Sequence, residues 1–108
     1  MSKPEKLESS AERAFRKWCQ TQGCLCKKLI LYGEKGWPDR TVLLPDGRVV
    51  FIELKRKRYI SDTSAQQRFW IAKLKSLGHS AYVVDTLEDA QEIVRAHLHT
   101  TPVPANRD

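Results

Sequence analysis

Two carboxylates and an ammonium lie where a hairpin would bring them together. Asp39 sits in Gly36-Trp37-Pro38-Asp39-Arg40, and Glu53 and Lys55 sit in Phe51-Ile52-Glu53-Leu54-Lys55. Between them runs a short apolar stretch and Pro45-Asp46-Gly47, whose glycine can take the left-handed conformation that closes a three-residue hairpin loop. With that loop Leu44 faces Arg48, and counting outward sets Asp39 opposite Glu53 on one sheet face. Opposed residues carry Cβ atoms ~4.5–5.5 Å apart, close enough for two carboxylates to share one cation. Lys55 projects to the same face, roughly 6.6 Å further along the strand. A slip of one residue would send the two acids to opposite faces, so the turn is part of the chemistry. Glu53 and Lys55 also interrupt an apolar strand, where charge costs free energy unless a metal, a partner or water satisfies it. Taken singly, Asp39 reads as a turn residue after proline and the charged pair as a device that blocks edge-strand aggregation. Only the combination argues for a site, and its hard oxygen ligands suit Mg²⁺ or Mn²⁺ rather than zinc.

The elements that must position these groups follow from periodicity. Leu7, Ala11, Ala14, Phe15, Trp18 and Cys19 predict an amphipathic helix over 7–22, stopped by Gly23. Glu8 and Glu12 lie one turn apart on it, and each alone reads as a helix-start charge that complements the macrodipole. A strand is expected over 25–32, centred on Leu29, Ile30 and Leu31, then a loop over 33–36 and hairpin strands over 40–44 and 48–55. Thr63 or Ser64 can cap a second helix to about Leu77, with Phe69, Trp70, Lys73, Leu74 and Leu77 on its apolar flank and Gly78 at its end. Ala81–Asp85 reads as a short strand. Thr86 and Asp89 resemble a capping box for a last helix to roughly Leu98, beyond which a frayed tail is expected. The order αβββαβα, with no Gly-rich phosphate loop, predicts an α/β sandwich around a central mixed sheet. One domain is expected over 1–108, its core spanning about 7–98.

Lys and Arg outnumber Asp and Glu by 19 to 13, a formal charge of +6, which points to a polyanionic partner and first to nucleic acid. Arg56, Lys57 and Arg58 follow the Glu53 strand; Arg68, Lys73 and Lys75 decorate the second helix; Arg40 adjoins Asp39. Such groups could hold phosphates without reading sequence. Trp37 is a core aromatic or a stacking partner for a DNA base. No apolar run approaches the roughly 20 residues of a membrane span, and the opening Met-Ser-Lys-Pro-Glu-Lys lacks a signal peptide's apolar stretch. A soluble, cytoplasmic protein is expected. Cys19, Cys24 and Cys26 are odd in number, which argues for reduced, partly buried thiols over a disulfide framework. A zinc site would need a fourth ligand, and His79 has no motif spacing to supply it. His97 and His99 are assigned no role.

Pro-Asp, a hairpin and Glu-x-Lys together resemble the pattern of the PD-(D/E)XK nucleases. The flanking residues, with Ser64-x-x-Gln67-x-x-Trp70-x-x-x-Leu74-x-x-x-Gly78, are similar to the VRR-NUC family, the virus-type replication-repair nucleases, over about residues 7–98. The resemblance implies a restriction-endonuclease-like αβββαβ core with a C-terminal helix and divalent-metal hydrolysis of DNA phosphodiesters. It further implies homodimers acting on branched DNA such as Holliday junctions, in the setting of DNA repair. It matches Asp39 and Glu53 to metal-binding carboxylates, Lys55 to the catalytic lysine and Gln67 to the helix glutamine. Glu8 matches the first-helix acid, with Glu12 as the alternative. A cation on Asp39, Glu53 and the Leu54 backbone carbonyl could polarise the scissile phosphate and activate water, with Lys55 orienting that water; one ion or two remain open. The origin could be phage or chromosomal. Rival readings are a nicking or flap-type nuclease, a non-cleaving DNA-binding module of the same fold, and a small interaction protein.

Overall fold

In a computed structural model, residues 9–56 and 62–100 are described. Helix α1, Ser10–Thr21, starts on a reciprocal cap: Ser9 Oγ accepts from Glu12 N (3.1 Å) and Glu12 Oε1 accepts from Ser9 N (2.8 Å). After Gly23 come β1, Leu25–Lys28; β2, Arg40–Leu43; β3, Val49–Leu54; α2, Ala65–Ser76; β4, Ser80–Val84; and α3, Leu87–Leu98. The four strands lie in the order β1-β2-β3-β4. The first three are antiparallel and β4 runs parallel to β3, with α2 as the crossover, so the sheet is mixed as expected.

The hairpin holds the register that the chemistry requires. Leu43 pairs with Val49 and Arg40 with Ile52; Leu44 N donates to Arg48 O (2.9 Å) and Gly47, at φ +94°, donates to Leu44 O (3.0 Å). The sheet's two faces bury different cores. Val42, Val50 and Ile52 pack with Phe15, Cys19, Ala90 and Val94 beneath α1 and α3. Ile71, Leu74 and Ala81 pack with Trp37, Phe51 and Val83 on the α2 side. Strand alternation then places Glu53 with Phe51, on the α2 side.

Two expectations are corrected. The first strand ends at Lys28, and Leu29 and Ile30, expected at its centre, lie beyond it, 42% and 69% exposed. Leu29 N still donates to Asp39 O (3.2 Å), but the next partner along would be Pro38, which has no N–H to continue the ladder. On α2 the buried residues are Ile71 and Leu74, whereas Phe69 and Leu77 are 58% and 63% exposed. Glu8, Lys57, Arg58 and most of the expected tail lie outside the described residues. Cys19, Cys24 and Cys26 are free and buried. Among the described residues no helix is long and apolar enough to cross a membrane.

Candidate active site

The β2–β3 register, carried one residue past Arg40, sets Asp39 against Glu53, and Asp39 N donates to Glu53 Oε1 (3.1 Å). Glu53's other oxygen accepts from Gln67 Nε2 (3.0 Å). Gln67 Oε1 in turn accepts from Lys55 Nζ (2.6 Å), whose ammonium stands 3.9 Å from Glu53 Oε2. The same amide oxygen accepts from Ser64 N (3.0 Å), while Ser64 Oγ accepts from Gln67 N (3.1 Å). Gln67 is thus both the N3 half of the α2 capping box and the tie between the acid and the lysine. Glu53 is 7% exposed, and this hydrogen-bonding is what makes its charge tolerable at that depth.

Asp39 is held differently. Its Oδ1 is buried with no hydrogen-bond partner among the described residues. Burial, then the neighbouring charge of Glu12, pushes its carboxyl up to about 6, against the opposing pull of Arg40 and Lys28. Glu12, at 9% exposure, is the α1 acid at the site among the described residues. Its Ser9-x-x-Glu12 capping spacing, which fixes the helix start, was the available sequence signal. Arg40 corrects an expectation outright. It is 2% exposed and its Nη2 lies 3.8 Å from Glu12 Oε2, so its guanidinium supports the acids from within instead of meeting solvent phosphate. Its place two residues before inward-facing Val42 on the same strand was the overlooked sign. Trp37 packs edge-on against Phe51 (5.7 Å) and Trp70 (5.3 Å), the core role of its two readings.

Glu12, Asp39, Glu53, Lys55 and Gln67 line one cleft of ≈ 810 Å³, together with Leu54, Arg56 and the starts of α1 and α3. Arg56 and Arg68 are exposed. Among the described residues no group of three or more His, Cys, Asp and Glu forms a ready cage. A Mg²⁺-like ion does not need one, because it keeps several waters and takes one or two carboxylates plus substrate oxygens. An orphaned buried carboxylate oxygen beside a second carboxylate, with no soft ligand lining the cleft, fits such an ion.

No protein-family model matches the sequence. The chain is 34% identical over 89 residues to "Putative nuclease p44" of Acyrthosiphon pisum secondary endosymbiont phage 1, covering 82% of this chain and 92% of that one. A solved structure of a VRR_NUC domain superposes with a TM-score of 0.73, covering 82% of this chain and 94% of the other at 23% identity, a likeness of fold. By the relative's identity and that shared fold, the chain belongs to the VRR-NUC family.

Proposed function

We propose that this protein is a nuclease that hydrolyses DNA phosphodiester bonds with Mg²⁺ or Mn²⁺, selects branched substrates such as Holliday junctions, and works as a homodimer. The observation that carries the reading is the pairing of Asp39, whose buried Oδ1 lacks a partner among the described residues, with a Glu53 locked in place by Asp39 N and Gln67. Family membership and the relative's name support the nuclease class. Asp39 and Glu53, with the Leu54 carbonyl, would hold the cation, which when bound supplies Lewis acidity toward the scissile phosphate.

The protein's own groups do the rest. Gln67 fixes Lys55 Nζ at 2.6 Å, so the ammonium can orient an attacking water or stabilise charge developing on phosphorus-bound oxygens. Glu12, in the place proposed for Glu8 or itself, tunes how readily Asp39 ionises. Arg56 at the cleft, Arg68 on α2, and Lys57 and Arg58 would hold flanking phosphates. A symmetric junction requires paired incisions, which motivates the dimer. A phage relative is consistent with a phage-encoded chain.

The test is incision of a four-way junction and of linear duplex in Mg²⁺, Mn²⁺ or EDTA, beside Asp39→Ala and Glu53→Ala, with sedimentation for the oligomeric state. The expected result is metal-dependent cutting of the junction that disappears in both variants. Tight, salt-sensitive binding without cutting, indifferent to the two carboxylates, would instead make the protein a DNA-binding module.

A further inference from the structure

A second cleft of ≈ 570 Å³, sharing no lining residue with the first, is lined by Gly33, Glu34, Lys35, Gln66, Phe69 and Trp70. Phe69 follows Gln67 by two residues, about 200° around the helix, whereas Gln66 and Lys73 share its side. The cleft is built. Gly36, at φ +88°, lets the loop press so close to α2 that an added Cβ would lie 2.6 Å from the Gln66 carbonyl carbon, and Trp70 Nε1 donates to Lys35 O (3.0 Å).

Phe69 forms the exposed end of an aromatic ladder. It meets Trp70 edge-on (5.1 Å, 78°), Trp70 meets Trp37 (5.3 Å), and Trp37 meets Phe51 (5.7 Å). A ring 58% exposed yet oriented by packed aromatics presents an apolar surface to solvent in a fixed attitude. Beside it stand Lys35 on the cleft and the exposed Lys73 one turn along α2, with Glu34 as the carboxylate on the rim.

The geometry points to a stacking site for one unpaired nucleobase, with Phe69 taking the base and Lys35 and Lys73 taking the phosphates beside it. Aromatic rings set among cations are how single-stranded nucleic acid is held without sequence preference. One exposed ring beside a cleft lined by a handful of residues matches the scale of a single base, whereas a stable protein interface engages roughly 20–30 residues a side. The inference rests on the nuclease reading for the identity of the partner and deepens it. The substrate would be DNA carrying an unstacked nucleotide near the cut, as a branch point offers.

The test uses duplexes that are fully paired or carry one unpaired 2-aminopurine, bound in EDTA by the wild type, Phe69→Leu and Phe69→Tyr, with circular dichroism confirming the fold. The wild type should quench the probe and bind the unpaired site about tenfold tighter than paired duplex, within the range of base–aromatic stacking. Phe69→Leu should reduce that site to paired-duplex affinity, and Phe69→Tyr should keep the preference. Equal quenching and affinity in Phe69→Leu would overturn the inference, as would a change in sedimentation with DNA binding unaltered, which would assign the surface to a second copy. The two readings fail separately. Metal-dependent cutting with no Phe69 effect sinks only the stacking site, whereas the Phe69 contrast in EDTA without any cutting sinks only the nuclease.

Discussion

Gln67 joins three tasks in one amide, since it accepts from Lys55 Nζ and Ser64 N and donates to Glu53. Gln67→Ala would free the lysine and strip a donor from a buried carboxylate. Cleavage should fall on the order of 100-fold, as expected when a positioning contact is lost, while DNA affinity holds. The lost capping interactions should cost about 1 kcal/mol in denaturant unfolding. Asp39 carries a pH prediction. Its carboxyl rises from 3.8 to about 6 on folding, so between those values the native state binds more protons than the unfolded chain and stability falls as pH rises. The penalty is absent below pH 3.8 and complete above pH 6. Asp39→Asn should therefore gain stability over the parent at pH 7.5 relative to pH 4.5, by thermal unfolding without divalent cation. Added Mg²⁺ should narrow that gap by stabilising the parent alone. At this scale the Asp39–Glu53 pairing was legible because a turn sets register and register sets faces. The choice between Glu8 and Glu12 was not, because residues one turn apart share a helix side and periodicity cannot rank them. Arg40 was misread because a basic residue beside an acid resembles surface charge until its strand parity is followed.

At the scale of elements, the hairpin and the starts of α2 and α3 were readable from local chemistry. Ser64 and Thr86 cap α2 and α3 through side-chain oxygens, and Pro45-Asp46-Gly47 closes β2 onto β3. What local chemistry could not supply was β1's end, which depends on Pro38 across the sheet, and the buried side of α2, which depends on what packs above the strands. Two glycines separate local strain from tertiary closeness. Gly47, at φ +94°, has nothing within 4 Å of an added Cβ, so Gly47→Ala should cost only the left-handed backbone strain, about 1–2 kcal/mol. Gly36, at φ +88°, would add a clash at 2.6 Å with helix backbone that cannot swing aside. Gly36→Ala should be the more destabilising of the two in chemical denaturation and should also disturb the loop that walls the Phe69 cleft. Equal costs would mean that the loop lifts from α2 freely.

Across the whole molecule, a net charge of +6 announces a polyanionic partner, but charge counting cannot say which cations face it. The mixed sheet and the element order were recoverable because a helix joining two strands makes a parallel pair and a short turn makes an antiparallel one. The division of cations between inside and outside needed the folded chain. Arg40, at 2% exposure, and Arg56, exposed at the cleft, test that division. For a protein neutralising Z phosphates, the slope of log affinity against log salt is about −0.9Z on duplex DNA. Arg56→Ala should weaken DNA binding at low salt and make the slope shallower by about 0.9. Arg40→Ala should leave the slope alone and destabilise the protein by about 3–5 kcal/mol, because it removes the buried partner of Glu12. Filter-binding isotherms across a salt series, paired with urea melts, read both quantities in each variant. A shallower slope in Arg40→Ala, with its stability intact, would mean that this guanidinium reaches DNA after all and that the acids are held by something else.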